Sequence, residues 1–133
     1  MRASLRSAAF AVAATATLAL CAPALGHQTV TNRGVAVTLH VLPDDEPRAG
    51  ERATIVAVRV KPPRGARFRF RTCVCRVKVT DASGRVLLDK RTGKRTAFTF
   101  PHQAAYEITF SGRYRAKTHR TRRFSAAFAI RVS

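Results

Sequence analysis

Cys73-Val74-Cys75 is the most reactive constellation in the chain, because sulfurs at i and i+2 of an extended segment project from the same face. Four chemistries compete for such a pair. Buried thiols act as small hydrophobes. A disulfide suits an oxidising compartment, but the Cα atoms of a fully extended pair lie about 6.5–7 Å apart, at or beyond the usual limit. A bond made there would be readily reduced and redox-active. Thiolates side by side hold a soft ion such as Cu(I), with a histidine completing the set. Either sulfur also has the chemistry to crosslink to a partner protein. Two cysteines alone are weak evidence for a metal, so the structural readings lead.

The histidines His27, His40, His102 and His119 show neither the i, i+2 nor the i, i+4 spacing of a local metal site. His40 falls on the polar parity of a strand and His102 in a turn. His119 lies among positive charges that discourage a bound cation. Each is expected at the surface. His27 differs if processing makes it the amino terminus, since a terminal histidine binds copper through its amine and its ring; it is then the candidate partner of Cys73 and Cys75.

Acid–base and nucleophilic chemistry find little support. Asp44-Asp45-Glu46 and Glu51 bunch in one turn, where carboxylates are solvated rather than opposed across a substrate. Ser83, Ser111 and Ser125 lack a nucleophile-elbow context, and the chain has no phosphate-cradling glycine loop. These features argue against an enzyme.

The charge is the remaining lead. The chain has 25 Lys and Arg against 7 Asp and Glu, a formal net charge of +18 over 133 residues. The excess concentrates in two segments. Lys61, Arg64, Arg67, Arg69 and Arg71 form one, and Arg113, Arg115, Lys117, Arg120, Arg122 and Arg123 the other. Such segments attract anionic envelope polymers or lipid headgroups in a salt-dependent way. Only Phe68, Phe70 and Tyr114 interleave with them, too few rings for a single-strand stacking platform, so nucleic acid is not the expected partner. Connections of a sandwich alternate between its two ends, and the sequence leaves open whether these segments meet.

Residues 1–26 order these features in space. Arg2 and Arg6, an apolar run from Ala8 to Leu20, and small residues at Ala22, Ala24 and Gly26 read as a helical signal peptide. Cleavage falls after Ala24 or after Gly26. The apolar run is shorter than the roughly 20 residues a membrane span needs. Cys21 follows Leu20, which is not small, so lipidation is disfavoured and Cys21 leaves with the leader. A secreted or periplasmic domain of residues 27–133 remains, without a transmembrane segment.

That domain alternates with period two. Val35, Val37, Leu39 and Val41 share one face, as do Tyr106, Ile108 and Phe110, and Phe124, Ala126, Phe128, Ile130 and Val132. Thr54, Val56, Val58 and Val60 are read as the inward set of the second strand. Phe68 to Val79 is read as one long strand whose phase slips, with a bulge near Arg71-Thr72 turning both halves inward. Gly84 ends a hairpin turn begun at Asp81 and is placed for positive φ. Val86–Asp89 and Thr96–Phe100 are short strands. The expected fold is all-β, an antiparallel immunoglobulin-like sandwich of about seven strands. Tyr106, at the start of the penultimate strand, is placed to send its hydroxyl back to the backbone upstream, as a tyrosine corner does.

The run Gly34-Val35-Ala36-Val37-Thr38-Leu39 followed by Pro43, Pro47 and Gly50, then Val77, Thr80, Asp81 and Gly84, closing through Pro101 and Tyr106, resembles the secreted immunoglobulin-like domains of bacterial envelope proteins of the YtkA-like type. The resemblance implies an exported, non-enzymatic β-sandwich, sometimes found near metal-handling systems. The expectation is therefore a binding module acting at the cell envelope through its basic surface, or alternatively a copper-handling protein using the Cys-x-Cys pair.

Overall fold

The computed structural model describes residues 27–133; residues 1–26, read from the sequence as a signal peptide with Cys21 and with expected cleavage after Ala24 or Gly26, lie outside the described residues. Eight strands follow in order: β1 Gln28–Asn32, β2 Val35–Leu42, β3 Arg52–Lys61, β4 Cys75–Asp81, β5 Val86–Thr92, β6 Arg95–Thr99, β7 Ala104–Arg115 and β8 Thr121–Val132. They form two four-stranded antiparallel sheets, ordered β1-β2-β3-β6 and β5-β4-β7-β8. The domain is an all-β sandwich. Among the described residues no helix is long and apolar enough to cross a membrane.

Alternation puts the expected faces inside. Val37, Leu39 and Val41 are fully buried on β2, and Ile108 and Phe128 are fully buried on β7 and β8. Residues of these types each contribute about 1.5–3 kcal/mol on leaving water. The two inner faces join in one hydrophobic cluster. β1 is the strand that the pattern does not announce, since Val30 is the one large apolar residue in Gln28–Asn32.

Two local expectations are corrected. On β3 Ala53, Ile55 and Ala57 join the shared core; of the expected set Val56 is buried as well, whereas Val58 is 41% exposed. The register shifts between Thr38 and Leu39 of the partner strand, pairing Arg59 with Thr38 and Ala57 with Leu39, so Val58 is the extra residue of a bulge. That insertion returns Val60 to the core. The second correction concerns Phe68 to Val79, which is not one strand. The chain makes a single 3-10 turn at Phe70–Thr72, closed by Cys73 N–H donating to the Phe70 carbonyl at 3.2 Å, and β4 begins only at Cys75. A turn, not a bulge, reverses the phase. It lets Phe68 and Phe70 pack on the core together with Cys75, Val77 and Val79.

Tyr106 is buried, and its hydroxyl donates to the His102 carbonyl at 2.8 Å while accepting the His102 N–H at 3.1 Å. Both bonds tie the crossover from β6 to the first turn of β7. Gly84 takes φ +85° in the β4–β5 turn, where Asp81 Oδ1 accepts N–H bonds from Ser83 and Arg85.

Candidate functional site

The connections sort by charge. The β2–β3 turn carries Asp44, Asp45, Glu46 and Glu51, Asp81 closes β4, and Glu107 pairs with Thr80 nearby. Of the acidic residues only Asp89 lies away from this end, and it bonds Arg76 at 2.8 Å. The opposite end gathers the β1–β2 turn, the β3–β4 connection, the β5–β6 turn and the β7–β8 hairpin. It is a basic pole.

Backbone geometry brings the two arginine-rich segments together there. Arg67 pairs antiparallel with Arg115, the Arg67 N–H donating to the Arg115 carbonyl at 2.8 Å and the reverse bond measuring 2.9 Å. The β3–β4 connection thus adds itself beside β7 where β4 has ended. Next to this bridge Gly65 touches Lys117: a Cβ on Gly65 would stand 3.0 Å from Lys117 Cδ. Phe68 and Phe70 hold the connection down, with ring centroids 4.9 Å apart and Phe68 5.6 Å from buried Phe124. Lys94 of the β5–β6 turn sits 5.6 Å from the Phe70 centroid, a cation over a ring face.

Two adjoining open grooves result. One, of about 540 Å³, is lined by Arg67, Arg69, Arg113 and Arg115 with Phe68, Tyr114 and Val74. The other, of about 940 Å³, shares Arg113, Tyr114 and Val74 with it and adds Arg33, Arg76, Arg122 and Arg123. Neither lining contains a carboxylate. Among the described residues Arg76 alone of these arginines is held in an ion pair. Arg113 and Arg123 stand opposite each other across the hairpin, a like-charge arrangement that costs stability. Arg64 and Arg120 are exposed on neighbouring turns of the pole without lining a groove, and Lys117 flanks Gly65. Arg33 and Arg76 were not among the expected residues. Each is an isolated basic residue in sequence, and only strand pairing brings it to the groove.

Cys73 and Cys75 form a disulfide with a Cα separation of 5.2 Å, well inside the normal range. The extended-pair estimate fails because Cys73 belongs to the end of the 3-10 turn rather than to β4. The sulfurs lie over Gly112 of β7: a Cβ there would meet Cys73 Sγ at 2.8 Å, Cys75 Sγ at 2.9 Å and Phe124 Cε1 at 3.0 Å. The intervening Val74 is 45% exposed and faces the junction of the two grooves.

His27 does not join the cysteines. Gly112 pairs with Phe124, next to Ser125 whose carbonyl accepts from Asn32 at the far end of β1, whereas His27 precedes Gln28 at the near end. The length of β1, about 13 Å for four steps of 3.3 Å, separates them. The strand instead brings His27 to His40. No protein-family model, curated protein or solved structure matches this chain.

Proposed function

We propose that the chain is an exported immunoglobulin-like module whose basic pole binds a linear polyanion of the cell envelope, and that it binds rather than catalyses. The observation that carries this reading is the Arg67–Arg115 bridge, which fuses two arginine-rich segments remote in sequence into one surface. Arginine suits the task because its planar fork grips carboxylate, sulfate or phosphate oxygens in pairs. An incoming chain of anions also relieves the repulsion between Arg113 and Arg123. The immunoglobulin-like reading draws support from the orders β1-β2-β3-β6 and β5-β4-β7-β8, which resemble A-B-E and C′-C-F-G sheets with β1 added at one edge, and from the bonds of Tyr106 to His102, which resemble a tyrosine corner. The turn residues shared with YtkA-like domains support the exported setting.

A polymer fits better than a bilayer surface. Among the described residues the exposed large apolar side chains are Val58, Val74 and Val86, and of these Val74 alone lies among the arginines, so the pole offers almost nothing to insert among acyl chains. Copper handling through Cys73 and Cys75 has no thiolate to use while the sulfurs are joined.

Retention on immobilised heparin in a salt gradient tests the reading. Arg113→Ala with Arg115→Ala should elute at clearly lower salt. Arg52→Ala with Arg131→Ala, outside the basic pole, should elute near wild type. Each lost anion contact should lower the slope of log affinity against log salt by about 1. Equal shifts for both pairs would reduce the pole to undirected net charge.

A further inference from the structure

The acidic end holds a second cluster that polyanion binding leaves unused. We propose that His27 and His40 bind a divalent late-transition ion, copper(II) foremost, with Asp45 as the residue that positions His40. This site lies at the other end of the sandwich from the basic pole and does not depend on it.

Strand register builds the pair. Gln28 pairs with Leu39 and Thr29 with Thr38, so one step earlier His27 stands opposite His40. Both histidines share the outer face with Thr29 and Thr38, whose hydroxyls meet at 2.8 Å. The imidazoles cross edge to face with centroids 3.9 Å apart. His27 Nδ1 lies 3.1 Å from His40 Nδ1 and closer still to His40 Nε2.

Asp45 orients the second ring. It takes φ +61° in the β2–β3 turn, its N–H donates to the Val41 carbonyl at 2.8 Å, and its Oδ1 accepts the Val41 N–H at 2.9 Å. That leaves Oδ2 aimed at His40 Nδ1, 3.0 Å away. A carboxylate on Nδ1–H fixes the tautomer and turns the Nε2 lone pair toward His27, the arrangement by which metal-ligating histidines are oriented. Without an ion, the His27 Nδ1–H donates to His40 Nε2. When an ion binds, His27 takes its other neutral tautomer, its proton passing through solvent from Nδ1 to Nε2 with none released overall, and two nitrogen–metal bonds replace the shared hydrogen bond.

Ligand atoms of the three residues lie within 4.8 Å of one another. Metal–nitrogen bonds of 2.0–2.1 Å bring neighbouring ligand atoms to about 3.3 Å, so the site closes with small side-chain rotations. Imidazole nitrogens favour copper(II) over the other divalent ions of the first row. Cleavage after Gly26 would add the His27 amine, which closes a six-membered chelate with Nδ1, the nitrogen already facing His40.

The test is titration of the purified protein, disulfide intact and amino terminus defined by intact mass, with copper(II) followed by calorimetry and electron paramagnetic resonance. One equivalent should bind, with a spectrum split by nitrogen. His27→Ala and His40→Ala should each weaken binding at least tenfold, and Asp45→Asn, which keeps an oxygen for the Val41 N–H, by roughly tenfold with an altered spectrum. Cys73→Ser with Cys75→Ser, and Arg113→Ala, should bind as wild type. His40→Gln with an unchanged far-ultraviolet circular dichroism spectrum separates ligand loss from misfolding. Absence of stoichiometric copper, or one equivalent retained by the His27→Ala, His40→Ala double variant, would overturn the assignment.

Discussion

Arg113 of β7 and Arg123 of β8 face each other directly across the last hairpin, both exposed, with no carboxylate paired to either among the described residues. Directly opposed like charges in a sheet repel, whereas the proposed polyanion would turn the same pair into a clamp. On the proposed function, stability and affinity pull in opposite directions at this position.

Arg123→Ser should consequently raise stability by about 0.2–1 kcal/mol in the free protein while lowering the salt needed to elute it from heparin. Urea unfolding alongside salt-gradient elution checks both signs. A variant that loses stability and keeps its elution point would contradict the account.

Gly112→Ala should damage the domain although alanine suits a strand better than glycine. The added methyl group collides with Cys73 Sγ, Cys75 Sγ and the Phe124 ring. Overpacking of this kind costs about 1–3 kcal/mol. Chemical denaturation should show the loss, and thiol labelling of the variant should report more reduced cysteine than wild type.

Tyr106→Phe removes both hydrogen bonds to His102 and leaves the ring in place against Phe100, whose centroid lies 5.1 Å away. The expected loss is about 1 kcal/mol, since the freed His102 groups sit at the surface and regain water. Thermal unfolding measures it, and an unchanged midpoint would remove the hydroxyl from any role in the crossover.

Asp81 sets an acid limit on the β4–β5 turn. Hydrogen bonding by the Ser83 side chain, aided by the N–H groups of Arg85 and Ser83 and by the Arg85 charge, holds its carboxyl below the ordinary value of 3.8. A folded value lower than the unfolded one stabilises the turn above pH 3.8 and withdraws that support as acid carries the medium through the lowered value. Hydrogen exchange at the Ser83 and Arg85 amides should accelerate over that range in wild type. In Asp81→Asn the acid dependence should vanish.

Legibility in the sequence followed the contrast between faces. β2, β7 and β8 alternate large apolar with polar or small residues, and their burial follows that alternation without exception at Val35, Val37, Leu39 and Val41. β3 misleads because both of its faces are apolar: Ala53, Ile55 and Ala57 alternate with Val56, Val58 and Val60. No local pattern says which set turns inward; the bulge opposite β2 decides it. The 3-10 turn at Phe70–Thr72 escaped for a related reason, since FRFRTCVC alternates like a strand until a single turn displaces it.

The site divides along the same line. Arginine content, the two basic segments, the Cys-x-Cys pair and a tyrosine placed for a corner are properties of the chain as written, because each depends on residue type and near-neighbour spacing. Proximity between distant segments is not. The meeting of Arg67 with Arg115, the seating of the disulfide on Gly112, the separation of acidic from basic connections and the approach of His27 to His40 arise from strand order and register. A one-residue slip in pairing would turn every one of these side chains to the other face, and only burial of the shared core selects the register that is observed.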